Sequence, residues 1–146
     1  EYKLVLIGGI NNAVFSKTDI FKLTENRTDI IFTGYIDDES LVEYYNKSFL
    51  FVLPSFFEGF GIPPLEAMAC GCPCVVSNAA SLPEVCGDAA YYVNPYDVED
   101  IARGIEKVLT DENLRQELIK KGFENVKRFS WEKSARKIIE ILNQIG

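Results

Sequence analysis

The chain has 146 residues, 47% of them hydrophobic, enough for one globular domain with a sizeable core. Its formal net charge of −7 argues against nucleic acid or an anionic membrane surface as the main partner. There is no histidine, and Cys70, Cys72 and Cys74 are separated by single residues, so a zinc site is not expected.

With Cys86, these cysteines read as small buried thiols of a reduced, cytoplasmic protein. No apolar run approaches the roughly 18 residues of a membrane-spanning helix, and no leader is visible.

Residues Lys3 to Ile7 form a short apolar run closed by Gly8-Gly9, the pattern of a strand and its turn. A strand at the very start leads us to expect that the chain begins inside a longer protein. Ile30 to Thr33, ending at Gly34, is a second strand. Asp38 to Asn46 is expected as a helix with Leu41, Val42 and Tyr45 on one face. Phe49 to Leu53 is a third strand, stopped by Pro54. Pro64 to Cys70 is expected as a helix, with proline favoured at its start and Gly71 as its stop. Cys74 to Ser77 is the fourth strand and Tyr91 to Asn94 the fifth. Between them, Ser81-Leu82-Pro83-Glu84 has the spacing of a capping box, with Glu84 as the partner of Ser81, and starts a helix running to Cys86.

Apolar strands alternating with helices indicate a doubly wound parallel sheet of the α/β class, covered on both faces. From about residue 97 the pattern is helical only. The stripes are Val98, Ile101, Ala102, Ile105, Val108 and Leu109, then Leu114, Leu118 and Val126, then Trp131, Ala135, Ile138, Ile139, Leu142 and Ile145. Asp97 and Ser130 are expected N-caps. Cys86 and Trp131 are assigned to the core.

In such a sheet ligands sit beyond the carboxyl ends of the strands. The segment that draws attention there is Glu58-Gly59-Phe60-Gly61-Ile62-Pro63-Pro64-Leu65-Glu66. A strand, a glycine-containing turn and a helix start make a pocket for an anion, because the first-turn N–H groups are unpaired and the helix dipole is positive there. Two carboxylates beside such a pocket suit a ligand carrying both phosphate and hydroxyls. Gly59-Phe60-Gly61 supplies only the first two glycines of a dinucleotide fingerprint, so a nicotinamide or flavin cofactor is not expected.

These residues resemble a family. Ser55-x-x-Glu58 through Pro73, Leu82-Pro83-Glu84-Val85 followed by Gly87-Asp88-Ala89-Ala90, Phe32-Thr33-Gly34-Tyr35-Ile36, and Phe129-Ser130-Trp131 look like successive blocks of the retaining glycosyltransferases of the GT-B fold, the family 4 or group 1 type. The wording is closest to the mannosyltransferases. The likeness spans nearly the whole chain in order. It implies a Rossmann-like half of a two-domain enzyme, the C-terminal, donor-binding half, over residues 1–146.

The resemblance also implies roles. Glu58 would be the catalytic carboxylate facing the transferred sugar, and Glu66 would accept hydrogen bonds from the ribose hydroxyls. The N–H groups of Phe60, Gly61 and Ile62 would face sugar or diphosphate, and glycine at 59 and 61 would permit close approach. Gly34, Tyr35 and Ile36 would bracket the base, and Gly8 and Gly9 would line the diphosphate side. From the residues alone, Gly8-Gly9 is equally a plain turn and Tyr35 equally a packing residue.

The implied donor is GDP-mannose or a UDP-hexose, and the acceptor a saccharide or lipid-linked sugar. No metal and no cofactor are implied. An N-terminal acceptor domain of the same protein is the implied partner, and it would give a cytoplasmic enzyme a peripheral place at the inner membrane face. The family opens this domain with a further strand and helix bearing an Arg and a Lys for the diphosphate. Lys3 and Lys17 do not fit that pattern, so the chain is expected to start after them and to be inactive alone.

Two other readings stand beside this one. One is a non-catalytic nucleotide- or partner-binding module with a flavodoxin-like or response-regulator-like sheet; a receiver domain would need an acidic cluster and a phosphorylatable Asp where Gly8-Gly9 and Pro54-Ser55 stand. An epimerase-like relative would bind a UDP-sugar without transferring it.

Overall fold

The computed structural model describes residues 2–8, 24 and 26–145; Gly9 and Lys17 lie outside them. The chain forms two compact units, residues 1–41 and 42–146.

In the first unit, β1 (Leu4–Ile7) pairs in parallel with β2 (Ile30–Gly34), Leu4 opposite Ile30, with a register shift after Leu6. The Gly8 N–H extends the ladder by donating to the Gly34 carbonyl at 3.1 Å. The apolar run predicts burial of β1 on both faces, yet Leu4 is 50% and Ile7 41% exposed. Among the described residues the two strands form a two-stranded sheet, and a sheet of two has no interior strand to bury. The helix α1 (Asp38–Lys47) starts in this unit and ends in the next. The Asp37 carboxylate caps it by accepting the Ser40 N–H at 2.8 Å.

The second unit holds β3 (Phe51–Leu53), α2 (Ile62–Ala69), β4 (Cys74–Ser77), α3 (Leu82–Cys86), β5 (Ala90–Val93), α4 (Val98–Thr110), α5 (Glu112–Val126) and α6 (Trp131–Ile145). The strands pair in parallel in the order β3-β4-β5. The central strand β4 is buried at all four positions, as an apolar strand flanked on both edges should be. Val75 of β4 and Val93 of β5 meet Val108 of α4 and Leu118 of α5 in the core, with Tyr91, Ile101 and Leu114 packed against them.

Caps delimit the helices. Asp97 accepts the N–H groups of Glu99 and Asp100, Asp111 that of Leu114, and Ser130 Oγ that of Lys133. The glycine stop after α2 is Gly71, at φ +73°. Asn125 of α5 donates to the Val85 carbonyl at 3.0 Å and to Met68 Sδ at 3.6 Å, joining α5 to α3 and α2.

Two further expectations fail here. Trp131 is not a core residue: it is 84% exposed, and every described residue of α6 is exposed. Its apolar stripe is real in sequence, but no element of this unit covers it. The capping box at Ser81 does not form. Ser81 has helical φ and ψ and makes no side-chain cap bond, because its hydroxyl is engaged elsewhere.

Candidate functional site

Parallel strands bring their carboxyl ends to one edge, so the loops after β3, β4 and β5 meet there. They are joined by side chains. Ser77, the last residue of β4 and fully buried, donates Oγ–H to the Ser55 carbonyl at 2.6 Å. Phe56 of the first loop and Tyr96 of the third lie with ring centroids 4.9 Å apart. Ser81, at the end of the second loop, has Oγ 3.0 Å from the Glu58 carbonyl oxygen and 2.8 Å from that of Phe60.

Within this frame Glu58 is held at its side chain as well. Ser55 Oγ–H donates to Glu58 Oε1 at 2.8 Å, so one carboxylate oxygen is fixed by the protein. Phe60 packs edge-on against Phe129 at 5.8 Å, tying the loop to the segment that follows α5.

Gly61 is the N-cap of α2 at φ +100°. A Cβ there would lie 2.7 Å from Leu82 Cδ2, so both backbone and space require glycine. A Cβ at Gly59 would meet nothing within 4 Å, so the fold itself leaves that position open.

The helix begins two residues earlier than the sequence suggests, with Ile62 ahead of Pro63 and Pro64. Glu66 therefore sits in its second turn rather than its first. Prolines carry no N–H, which confines the free donors to the loop side. Among the described residues, the N–H groups of Gly59, Phe60, Gly61 and Ile62 make no backbone hydrogen bond.

Glu66 has a partner whose place on an apolar helix face suggests only packing. Tyr45, 6% exposed, donates its hydroxyl to Glu66 Oε2 at 3.2 Å. Its ring meets Phe51 edge-on at 5.6 Å. Burial, and then the Glu66 charge, push the phenol above its ordinary range, so it remains a donor at neutral pH. A buried tyrosine hydroxyl usually finds a partner, and that was the signal available in the sequence. Ser77 carried no signal, and Ser81 carried a misleading one.

The structure thus brings together Glu58, Gly59, Phe60, Gly61, Ile62 and Glu66 in the second unit. Gly8, Gly34, Tyr35 and Ile36 lie in the first. There Gly8 and Gly34 are bridged, Gly34 has φ +70°, Ile36 is half-buried and Tyr35 is 91% exposed, so it is not packed within its unit. Among the described residues no three His, Cys, Asp or Glu side chains gather as a metal site, and no helix is long and apolar enough to cross a membrane.

The profile of the family described as glycosyl transferases group 1 matches residues 1–125. The chain belongs to that family. The serotype-specific mannosyltransferase WbdA of Escherichia coli is 46% identical over 125 residues, 83% of this chain but 15% of that protein. The chain thus spans a small part of that relative. Among solved structures, sucrose-phosphate synthase from Thermosynechococcus elongatus superposes with a TM-score of 0.85 at 29% identity, over 98% of this chain and 38% of the other. Anabaena Alr3699/HepE, solved in complex with UDP-glucose, superposes with a TM-score of 0.82 at 20% identity, over 97% and 41%, a likeness of fold. The fold is the Rossmann-like half of a GT-B glycosyltransferase. Family membership favours the transferase reading over a receiver-like module.

Proposed function

We propose that this chain is the donor-binding half of a retaining hexosyltransferase. The intact protein would move a hexose, mannose by likeness to WbdA, from a nucleotide sugar to a saccharide or lipid-linked acceptor. The donor is GDP-mannose or a UDP-hexose, and the reading invokes no cofactor and no metal. The observation that carries it is the pair of held carboxylates, Glu58 on Ser55 and Glu66 on Tyr45, flanking a run of unbonded loop N–H groups.

Each group has a role in this reading. Glu66 accepts from the ribose hydroxyls with its remaining lone pairs. Glu58 holds hydroxyls of the transferred sugar beside the reacting carbon. The loop N–H groups and the α2 dipole offset charge developing on the diphosphate leaving group. For the first unit, taken by itself, the family resemblance assigns base contacts to Gly34, Tyr35 and Ile36 and diphosphate contacts to Gly8. The cations that complete the charge balance belong to the Arg- and Lys-bearing strand and helix expected ahead of this segment. The acceptor, with a cytoplasmic, membrane-peripheral location, belongs to the expected N-terminal domain.

Calorimetry on the intact protein with GDP, UDP, GDP-mannose and UDP-glucose tests the reading. One nucleotide class binds, and Glu66→Ala weakens it by about ten- to a hundred-fold, the equivalent of one charge-assisted hydrogen bond. Binding of none of the four overturns the donor assignment, and unchanged affinity in Glu66→Ala overturns the ribose role.

A further inference from the structure

We propose that Ser81 is a positioning residue whose hydroxyl aims the N–H groups of Gly59 and Gly61 at the donor diphosphate. The inference rests on the donor reading above and names a group that reading does not use.

Ser81 Oγ lies 3.0 Å from the Glu58 carbonyl oxygen and 2.8 Å from the Phe60 carbonyl oxygen. Its single proton is shared between two acceptors that therefore both face Ser81. No described peptide is cis, and in a trans peptide the C=O and the following N–H point in opposite directions. The carbonyl of Glu58 belongs to the peptide that carries the Gly59 N–H, and the carbonyl of Phe60 to the one that carries the Gly61 N–H. Turning both carbonyls toward Ser81 turns both N–H groups away from it, and neither makes a backbone bond among the described residues.

Two alternate peptides are thus held with their donors turned from Ser81. Donors fixed before the ligand arrives cost no reorganisation, which is the condition for strong anion stabilisation. The hydroxyl has no capping role to compete with this one. Loss of the hydroxyl lets both peptides rotate without removing any group that would touch the donor.

The test uses the intact protein with GDP, UDP, guanosine and uridine, and the variants Ser81→Ala, Ser81→Cys and Ser81→Thr. Cysteine keeps the shape with a poor donor, and threonine keeps the hydroxyl. Expected is a loss of about ten- to a hundred-fold in affinity for the bound nucleoside diphosphate in the Ala and Cys variants. The matching nucleoside binds as before, and Thr restores the unvaried affinity. Equal losses for nucleoside and diphosphate overturn the inference, because the hydroxyl then acts on the site's general shape. So do a Cys variant that binds like the unvaried protein and a Thr variant that behaves like Ala. If the unvaried protein binds neither GDP nor UDP, the donor reading fails and the inference falls with it.

Discussion

Tyr45→Phe isolates one hydroxyl at the base of the site. The ring stays, so the edge-on contact with Phe51 at 5.6 Å and the burial of Tyr45 are kept. What is lost is the 3.2 Å bond to Glu66 Oε2. Glu66 lies on the exposed side of α2, so water replaces the phenol and the carboxylate is not stranded. The expected stability cost is therefore small, at most about 1 kcal/mol. The larger effect is on preorganisation: in the proposed ribose role, a freed glutamate would have to be immobilised again on binding, at roughly 0.5–1.5 kcal/mol. That corresponds to donor affinity weakened about two- to twelve-fold.

The assay is a double-mutant cycle by calorimetry with Tyr45→Phe, Glu66→Ala and the pair, on whichever nucleotide the intact protein binds. Tyr45→Phe should have no further effect once Glu66 is alanine. An equal loss in both backgrounds would refute the reasoning, because the tyrosine would then act through packing. Burial and the Glu66 charge hold the phenol above its ordinary range, so this contribution should not change between pH 6 and about 9.

Three further outcomes follow from the packing and the cysteines. Gly104→Ala places a Cβ 2.4 Å from Val93 Cγ1 and 3.2 Å from Tyr91 Cε1. Overpacking of about 1–3 kcal/mol outweighs alanine's helix-propensity gain of about 1 kcal/mol, so the melting temperature should drop by several degrees; an unchanged or raised value refutes this. Burial pushes the Cys86 thiol up to about 11 and that of Cys72, with help from Cys70, up to about 12. The folded state thus keeps protons that the unfolded chain releases near pH 9, so stability is full below that pH and falls as pH rises through 11–12. Denaturant titrations at pH 7, 9 and 10.5 should show the decline beginning at about 9. Native alkylation should reach the half-buried Cys70 first.

How much of this was legible in the sequence depends on the range of the interaction. Elements set by periodicity and caps were readable: β4 from an unbroken apolar run, α4 from Asp97 and its stripe, the stop at Gly71. Burial of β1 was not, because an apolar strand looks the same in a two-stranded sheet as in the middle of a large one. Nor was the exposure of Trp131, since an amphipathic stripe announces a partner without saying where the partner is. The motif from Glu58 to Glu66 was legible, while the groups that hold it, Tyr45 and Ser81, lie 21 or more positions from the atoms they bind.

Ser81 shows why local rules mislead where a site is built. Ser-x-x-Glu at a helix start has a low-energy local solution, a reciprocal cap satisfying two N–H groups. Here the serine takes up helical φ and ψ and turns its hydroxyl to two carbonyls 21 and 23 positions earlier. The first turn of α3 forgoes that cap, typically worth about 1 kcal/mol, and the loop between β3 and α2 gains a fixed orientation. The short helix between β4 and β5 has tertiary packing to hold it, with Leu82, Val85 and Cys86 all buried, and so can spare a cap. A loop whose N–H groups are left unbonded has no such support of its own. The hydroxyl acts where the backbone would otherwise be free to turn, as the proposed positioning role of Ser81 requires.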